Sequence, residues 1–429
     1  MLQMVKPRRI LWLVPMLLVM DLILLGPRGV APDYHVRYLL FFATLVVLGY
    51  FALRNRRIWG DSICLPLLLV SIFLICNAVW VLLIPMFAGG SVMTAWSDAK
   101  SLVFMVVPIV FVLASSDSDK PHVYLISMIV TLATLLGWFQ LAIWSVGNIF
   151  PDIRALIGDA LSELFQAKSI YVGTMGDGFY RVFWISSIWL LPAIFYLPLV
   201  ARNNALRFVC LIGLVGGVYV SYSRGIWIGL IIGVFALLVL ALKQRSLEIK
   251  PDAFLILLLI VVAGFLAVDS LQGGSAVQGG SAVQRVAALG SDNDVSMNVR
   301  IQQVRQLLEA WAARPWLGWG YGASIADIRD PSVPYSYEMV PFALLMKLGV
   351  IGILSWVIFF LSIFVTSYRL LNNRPNEVSA LLPALSAFLP ASMTNPMLFN
   401  FVGMGILSVL VIHWIGIVSY DGLLAGVNR

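Results

Sequence analysis

Four arginines and one glutamate stand out in the polar stretches of a chain that is otherwise strongly apolar. They are Arg181, Arg224, Arg300, Arg314 and Glu338. Arginine suits a diphosphate because its planar guanidinium donates paired hydrogen bonds and stays charged. A neighbouring carboxylate can take the proton from an incoming hydroxyl group. The set therefore predicts a site that binds a phosphorylated substrate and activates a hydroxyl nucleophile.

Each of these residues also has a purely structural interpretation. An arginine at the edge of a membrane span, such as Arg181, Arg224 or Arg314, can reach the membrane surface with its charged end without binding a ligand. Arg300 can belong to the solvated side of a helix. Glu338 can be an acid favoured by the dipole of the helix that follows it. Each residue alone is weak evidence, and the combination on one side of the membrane is what favours a site.

One long polar stretch, residues 271–322, carries Arg300 and Arg314, and Glu338 follows it. It begins with a tandem repeat of Gly-Gly-Ser-Ala-Val-Gln at 273–284, a composition typical of mobile tethers. A helix that can lie on a membrane surface is predicted next. Its apolar residues recur at helical spacing on one face, namely Ile301, Val304, Leu307, Leu308 and Trp311.

Glycines alternate with aromatic residues at the end of this stretch. Pro315 is expected to end the helix, and three glycines then alternate with Trp319 and Tyr321. Glycine lets a backbone turn tightly and approach a ligand. The two rings are interpreted either as anchors at the membrane interface or as surfaces on which sugars stack. Within the helix, Arg305 and Glu309 are four residues apart and are expected to pair.

The elements that hold these residues are predicted to be membrane helices. The chain has 429 residues and is 61% hydrophobic but only 11% charged, whereas soluble domains carry about 25% charged residues. Long apolar runs recur from end to end, which predicts an all-α polytopic membrane protein with one integral domain over 1–429. Twelve spans are expected, at about 10–26, 36–53, 63–87, 99–114, 123–147, 182–200, 206–220, 226–242, 253–269, 338–367, 379–396 and 400–418.

The positions of the basic residues predict the orientation of the spans. Lysines and arginines concentrate in alternate short loops, which places those loops and both termini in the cytoplasm. The net charge of +7 therefore does not predict a nucleic-acid partner. Two longer segments, 148–181 and 270–337, then face the outer side. The second, between spans nine and ten, is expected to carry the active site.

The energy for any reaction on the outer side must come with the substrate. The sequence contains no nucleotide-binding loop, and its predicted cytoplasmic loops are too short for a nucleotide-hydrolysing domain. A sugar joined to a lipid diphosphate meets the need, because the diphosphate is a good leaving group. His35, His122 and His413 are scattered without metal-ligand spacing. The three cysteines fall in or beside apolar runs as buried thiols, and we expect no metal or other cofactor.

Three motifs resemble the O-antigen ligase and polymerase superfamily of bacterial membrane glycosyltransferases. The resemblance covers about 221–352, whereas the first 220 residues match only in hydropathy. The motifs are Ser223-Arg224-Gly225-Ile226-Trp227, then Pro315-Trp316-Leu317-Gly318-Trp319-Gly320 after an arginine-led helix, and Leu344-Leu345-Met346-Lys347-Leu348-Gly349-Val350-Ile351-Gly352 in the next span.

The resemblance implies a helical, GT-C-like fold in the bacterial inner membrane, with a large periplasmic loop over a lipid-diphosphate site. Family members move glycans from undecaprenyl diphosphate without a nucleotide or a metal. The implied partners are this lipid-linked glycan, an acceptor glycan or lipid A core, the bilayer and chain-length regulator proteins. Arg224, Arg300 and Glu338 are the predicted catalytic residues. Substrate-binding roles are predicted for Arg181, Arg314, Tyr337, Trp319 and Tyr321.

One departure from the family pattern bears on the reaction. Ligases typically have a histidine where this chain has Tyr335 to Glu338. Its absence favours a polymerase, in which Glu338 acts as the base or is aided by Tyr337. The alternative is a ligase that transfers the glycan to lipid A core. A third possibility is a flippase or other transporter, although the repeated halves and mid-membrane polar residues typical of transporters are not evident.

Overall fold

A computed structural model describes most of the chain, and the structural statements below concern these residues. They are residues 13–24, 35–54, 61–114, 121–164, 170–174, 180–243, 254, 256, 258–264, 267, 295–326, 333–394 and 396–427. The tandem repeat at 273–284 lies outside the described residues, as does part of the predicted span at 253–269.

The described elements are mostly helical, as predicted. In chain order the helices are α1 (Leu13–Leu24), α2 (His35–Arg54), α3 (Asp61–Leu82), α4 (Ile84–Ala88), α5 (Val92–Ala99), α6 (Val106–Ala114), α7 (Pro121–Ile149), α8 (Arg154–Leu164), α9 (Leu190–Val200), α10 (Asn204–Ser221), α11 (Arg224–Lys243), α12 (Val295–Ala313), α13 (Val340–Arg369), α14 (Pro375–Met393) and α15 (Phe401–Val427). Short 3₁₀ segments lie at Lys100–Met105, Pro151–Ile153 and Ile185–Trp189. One antiparallel hairpin interrupts the helices, with β1 (Ile170–Thr174) paired to β2 (Tyr180–Trp184) so that Val172 is opposite Val182.

Seven stretches of the described chain are long and apolar enough to cross a membrane, which agrees with a polytopic membrane protein. They are Leu65–Ala88, Val92–Ala114, His122–Ile149, Asn204–Ser221, Arg224–Lys243, Val340–Arg369 and Phe401–Ser419. Three shorter apolar helices lie at Val14–Leu24, Arg37–Leu53 and Ile185–Val200, where further spans were predicted. The total of twelve spans remains a prediction.

The chain divides into two compact units, each assembled from separate stretches of sequence. Unit 1 comprises Met1–Ile58, Val110–Ala287 and Pro375–Phe388. Unit 2 comprises Trp59–Ile109, Ala288–Arg374 and Leu389–Arg429. The single domain over 1–429 therefore remains a prediction.

Small residues allow the helices of unit 1 to pack closely. Helices α7 and α10 meet at glycines, since a Cβ atom on Gly137 would lie 2.2 Å from the carbonyl oxygen of Gly213. Such contacts are typical of membrane helices, where close backbone packing replaces the hydrophobic effect. The β1–β2 hairpin rests on the ends of α7 and α10, and its residues Tyr180 and Val182 join Trp144 in a buried cluster.

The predicted break inside 206–242 is present. Helix α10 ends at Ser221, Tyr222 adopts a left-handed conformation with φ of 49°, and α11 begins at Arg224. The break places Arg224 at the start of a helix, two residues after a turn.

Unit 2 holds α3, α5, α12, α13 and α15. Asn77 on α3 accepts hydrogen bonds from the Tyr321 hydroxyl at 2.7 Å and from the Trp356 indole at 3.1 Å. This buried amide thus ties α3 to α13 and to the loop after α12. A polar group in such a place is expected to be fully hydrogen-bonded, because an unpaired one costs free energy.

The exposed and buried sides of α12 differ in part from those predicted. Leu307 is fully buried, as expected, but Ile301 is 60% exposed and Gln303 is only 3% exposed. The reason is that α12 packs against α13, and this contact selects a different face from the one with the most apolar residues. The predicted Arg305–Glu309 pair is present at 3.1 Å.

Candidate functional site

Arg300 and Glu338, two of the predicted catalytic residues, lie in direct contact. The Nε atom of Arg300 donates to Oε2 of Glu338 at 2.6 Å. Their side chains are 23% and 14% exposed, so the pair is partly shielded from solvent. Helix α12 carries the arginine, and the glutamate lies two residues before α13 begins. The contact brings together a cation suited to phosphate and a carboxylate suited to accept a proton.

Helix α13, which begins two residues after Glu338, is broken at Gly349. Gly349 has φ of 61° and ψ of −173°, a conformation that only glycine adopts readily. The loop that follows α12 packs against α13 at this break and bonds to its backbone on both sides of Gly349. The loop and α13 exchange four backbone hydrogen bonds of 2.8–3.1 Å, namely Trp319 to Met346, Gly320 to Lys347, Val350 to Pro315 and Ile351 to Trp316.

Glycines in both segments explain why the loop after α12 and helix α13 approach each other so closely. Gly318 also has a positive φ, of 65°. A Cβ atom on Gly318 would lie 2.4 Å from the Lys347 carbonyl oxygen, and one on Gly349 would lie 2.4 Å from the Trp316 carbonyl oxygen. The sequence predicted that Gly318 allows a tight turn or a close approach to a ligand, whereas in the structure Gly318 approaches the backbone of α13. No role was predicted for Gly349.

Replacing Gly349 by alanine is expected to destabilise the protein by about 1–3 kcal/mol from the backbone conformation alone. The contact with the Trp316 carbonyl oxygen adds to that cost. The apparent melting temperature of the purified protein in detergent measures the effect. Gly49→Ala is the matched control, because Gly49 is helical and a Cβ atom there would have no other atom within 4 Å. Alanine should be neutral or slightly stabilising at that position. Equal melting temperatures for the two variants would contradict the role of the break.

A buried ion pair fastens the same region. The Lys347 Nζ atom donates to Oδ2 of Asp98 at 2.6 Å and to the Tyr335 carbonyl oxygen at 2.8 Å. The same Asp98 oxygen accepts from the Gly322 N–H at 2.8 Å. The ammonium and carboxylate are 4% and 5% exposed. One charge pair thus joins four parts of unit 2. They are α5, the loop after α12 at residues 314–322 (the glycine loop), α13 and the segment that leads to Glu338.

No partner for Lys347 was predicted from the sequence, because Asp98 is 249 positions away. The sequence nevertheless contained evidence that Lys347 has an acidic partner. An ionisable residue inside a predicted span needs an opposite charge, and Asp98 lies next to the predicted outer edge of another span. Asp21, an ionisable residue inside the predicted span at 10–26, pairs with Arg37 in unit 1, and both side chains are buried.

Tyr337 is buried and has a structural contact. Its hydroxyl accepts a hydrogen bond from the Ile325 N–H at 2.8 Å. Burial, with a smaller contribution from the Asp98 charge, raises the pKa of Tyr337 to about 12, although the hydrogen bond from Ile325 opposes the rise. The hydroxyl therefore remains protonated at neutral pH and does not act as a base there. Glu338 is thus the better candidate for that role.

The other predicted substrate-binding residues of unit 2 also contact the protein. The Arg314 guanidinium lies over the Trp319 ring, 4.3 Å from its centroid. The Trp319 indole donates to the Ala310 carbonyl oxygen at 2.8 Å. Tyr321 is 1% exposed and is held by Asn77. These contacts fix the loop, and the roles of the three residues in substrate binding remain predictions.

Arg181 and Arg224 belong to unit 1. The Nε atom of Arg181 donates to the Ser221 carbonyl oxygen at 2.7 Å, and its guanidinium lies over the Phe183 ring at 4.4 Å. Arg181 thus joins the β hairpin to the turn from which α11 and Arg224 begin. A positioning role for Arg181 was not predicted, because the pairing of the hairpin with this turn is not local in sequence.

A cavity of about 630 Å³ opens within unit 2. One wall is the turn at 88–91 after α4. The others are one side of α12 around Gln306 and Glu309 and the loop residues 319–326. Two predicted binding residues, Trp319 and Tyr321, line it. Among the described residues, no group of three histidine, cysteine, aspartate or glutamate side chains is arranged to hold a metal ion.

Comparison with known families agrees with the motifs. Residues 208–357 match the family model described as O-antigen ligase. The matched region contains Arg224, Arg300, Glu338 and the whole of the glycine loop, and it confirms the resemblance to the O-antigen ligase and polymerase superfamily. No curated protein and no solved structure matches the chain.

Proposed function

We propose that this protein is a polysaccharide polymerase of the bacterial inner membrane. In this proposal it moves a glycan from undecaprenyl diphosphate to the end of another lipid-linked glycan on the periplasmic face. The match to the O-antigen ligase family over 208–357 supports transfer of a lipid-linked glycan in general terms. The contact between Arg300 and Glu338 is the observation that carries the proposal.

The reaction is a displacement at the anomeric carbon of the donor sugar. The acceptor hydroxyl oxygen forms a bond to that carbon, and the bond from the carbon to the diphosphate oxygen breaks. The diphosphate leaves with the lipid carrier, and the configuration inverts. The hydroxyl proton passes to the carboxylate of Glu338.

Arg300 and Glu338 change partners during this cycle. Without substrate, the guanidinium is held by the carboxylate at 2.6 Å. A diphosphate carries more negative charge than one carboxylate and offers more acceptor oxygens, so it displaces Glu338 from the guanidinium. The released carboxylate then takes the proton of the acceptor. A resting ion pair of this kind keeps the base occupied until a donor is bound.

Contacts within each unit support the orientation in the membrane. Segments that the charge pattern places on the outer side contact one another. In unit 2 the turn at 88–91 shares a cavity with residues 306–326. In unit 1 Arg181 bonds to Ser221. The proposed periplasmic site itself lies within unit 2, where Arg300 contacts Glu338.

The choice of a polymerase rests on the residues before α13. Tyr335 to Glu338 stand where ligases typically have a histidine, and the carboxylate of Glu338 supplies the base instead. The comparisons give no support to a transporter. Purified protein with lipid-diphosphate glycan as its only substrate should lengthen that glycan. Transfer that requires added lipid A core would identify a ligase instead.

Replacing Arg300 by lysine is expected to lower glycan transfer by about tenfold to a hundredfold. Lysine keeps the charge but loses the planar fork that binds two phosphate oxygens. The measurement is the length distribution of lipid-linked glycan made by the purified variant at equal protein concentration.

Arg305→Lys is the matched control for this variant. Arg305 lies on the same helix, and its side chain is 82% exposed. That control should behave like the wild type. Full activity in Arg300→Lys, with protein levels unchanged, would contradict the proposed phosphate site.

A further inference from the structure

We infer that the 630 Å³ cavity of unit 2 binds neutral sugar units of the acceptor glycan. This inference rests on the proposed function, since it assigns the acceptor to a particular place in unit 2. The volume lies within the range of about 300–1,000 Å³ that is usual for small-molecule sites. A cavity of this size can hold a few sugar rings.

The chemistry of the lining matches a hydroxyl-rich ligand. Ser91, Gln306, Glu309 and Ser324 supply hydrogen-bonding side chains, and Trp319 supplies an aromatic ring. Sugars are bound by this combination, because hydroxyl groups pair with carboxylate and amide oxygens while the C–H faces pack on aromatic rings. These side chains make the lining suited to carbohydrate.

The charge of the lining selects among sugars. Glu309 contributes a carboxylate, and none of the described residues that line the cavity is lysine, arginine or histidine. Glu309 is paired with Arg305 at 3.1 Å, but Arg305 is not among the lining residues, so the lining offers no cation to the carboxylate of an acidic sugar. The inference is therefore restricted to neutral sugar units.

The position of the cavity fits an acceptor. Helix α12 carries Arg300 and, about two turns later, Gln306 and Glu309. At about 1.5 Å per residue, these side chains lie roughly 9–14 Å further along the helix axis. On the other side, the cavity residue Ile325 is bonded to Tyr337, whose neighbour in sequence is Glu338. Nine residues make about two and a half turns, so Glu309 projects from the side of α12 opposite Arg300. The cavity is therefore linked to the segment that carries Glu338 by the bond from Ile325 to Tyr337, and the acceptor glycan and the diphosphate would lie on different sides of α12.

Two variants test the inference by binding alone. The probe is a set of short oligosaccharides cut from the polysaccharide that the host bacterium makes, freed of lipid and phosphate. Calorimetric titration into full-length protein in detergent should show saturable binding. Glu309→Gln removes a charged acceptor of hydrogen bonds from sugar hydroxyl groups, and Ser324→Trp fills space at an exposed position. Each should weaken binding by about tenfold.

Arg305→Gln is the matched control. Glu309 pairs with Arg305 at 3.1 Å, and both side chains are well exposed, so an ordinary surface ion pair is the competing interpretation. That interpretation predicts equal small effects of Arg305→Gln and Glu309→Gln. The cavity inference predicts that only Glu309→Gln weakens binding. Equal effects, or no binding of the fragments to the wild type, would overturn the inference.

Failure of this inference can be told from failure of the proposed function. Arg300→Lys should transfer glycan about tenfold to a hundredfold more slowly yet still bind the lipid-free fragments. If fragments do not bind while transfer still depends on Arg300, only the assignment of the cavity fails. If Arg300→Lys transfers glycan normally, the proposed donor site fails, whatever the cavity binds.

Discussion

Replacing Glu338 by glutamine should lower the turnover number for glycan transfer by about 10²- to 10⁴-fold, the usual effect of removing a general base. The amide cannot take the proton of the acceptor hydroxyl. The apparent KM for the lipid-diphosphate donor should stay the same or fall, because the competitor for Arg300 in the resting pair has been neutralised. Initial rates over a range of donor concentrations separate the two quantities.

A structural role for Glu338 makes a different prediction. If Glu338 only stabilises the start of α13 or holds Arg300 in place, glutamine should raise KM and leave turnover nearly unchanged. Glu377→Gln is the matched control, because Glu377 lies in the first turn of α14 and is a helix-start acid outside the site. A turnover number for Glu338→Gln equal to that of this control would remove Glu338 from the mechanism.

Replacing Lys347 by methionine should destabilise unit 2 by about 3–5 kcal/mol, the usual cost of leaving one charge of a buried pair without its partner. Asp98 would keep a carboxylate that is almost fully buried. The segment from Tyr335 to Glu338 would also lose its bond to the ammonium. We therefore expect a lower melting temperature in detergent and loss of transfer activity. Lys243→Met, at an exposed position in the last turn of α11, should leave the melting temperature unchanged.

A second variant separates charge from packing. In Asp98→Asn combined with Lys347→Met, no buried charge is left unpaired, and the amide oxygen can still accept the Gly322 N–H. Much of the lost stability should return, because replacing both partners of a buried pair is often nearly neutral. If the double variant is as unstable as Lys347→Met, the damage comes from packing around α13 and not from the charge of Asp98.

Local sequence patterns were sufficient to predict much of the fold. Long apolar runs located the membrane helices, and the polar residues around Arg224 located the break between α10 and α11. The four-residue spacing of Arg305 and Glu309 predicted their ion pair, and Pro315 predicted the end of α12. In each case a few neighbouring residues contain the physical cause.

Contacts between distant parts of the chain could not be predicted in the same way. The pairing of Lys347 with Asp98 and the insertion of the glycine loop into α13 depend on tertiary packing. The burial of Gln303 has the same origin, since the face of α12 that meets α13 is not its most apolar face. Arg300 and Glu338 were singled out for their chemistry, and their contact across 38 positions was not derivable from spacing.

The broken helix α13 limits how the proposed site can move. Lipid tails offer no hydrogen bonds, so pulling the glycine loop away from Gly349 would strand several amide and carbonyl groups at several kcal/mol each. The loop and the first half of α13 should consequently travel as a single rigid piece whenever a lipid-linked substrate enters or departs. Any conformational change that admits or releases the substrate must therefore take place elsewhere in the protein.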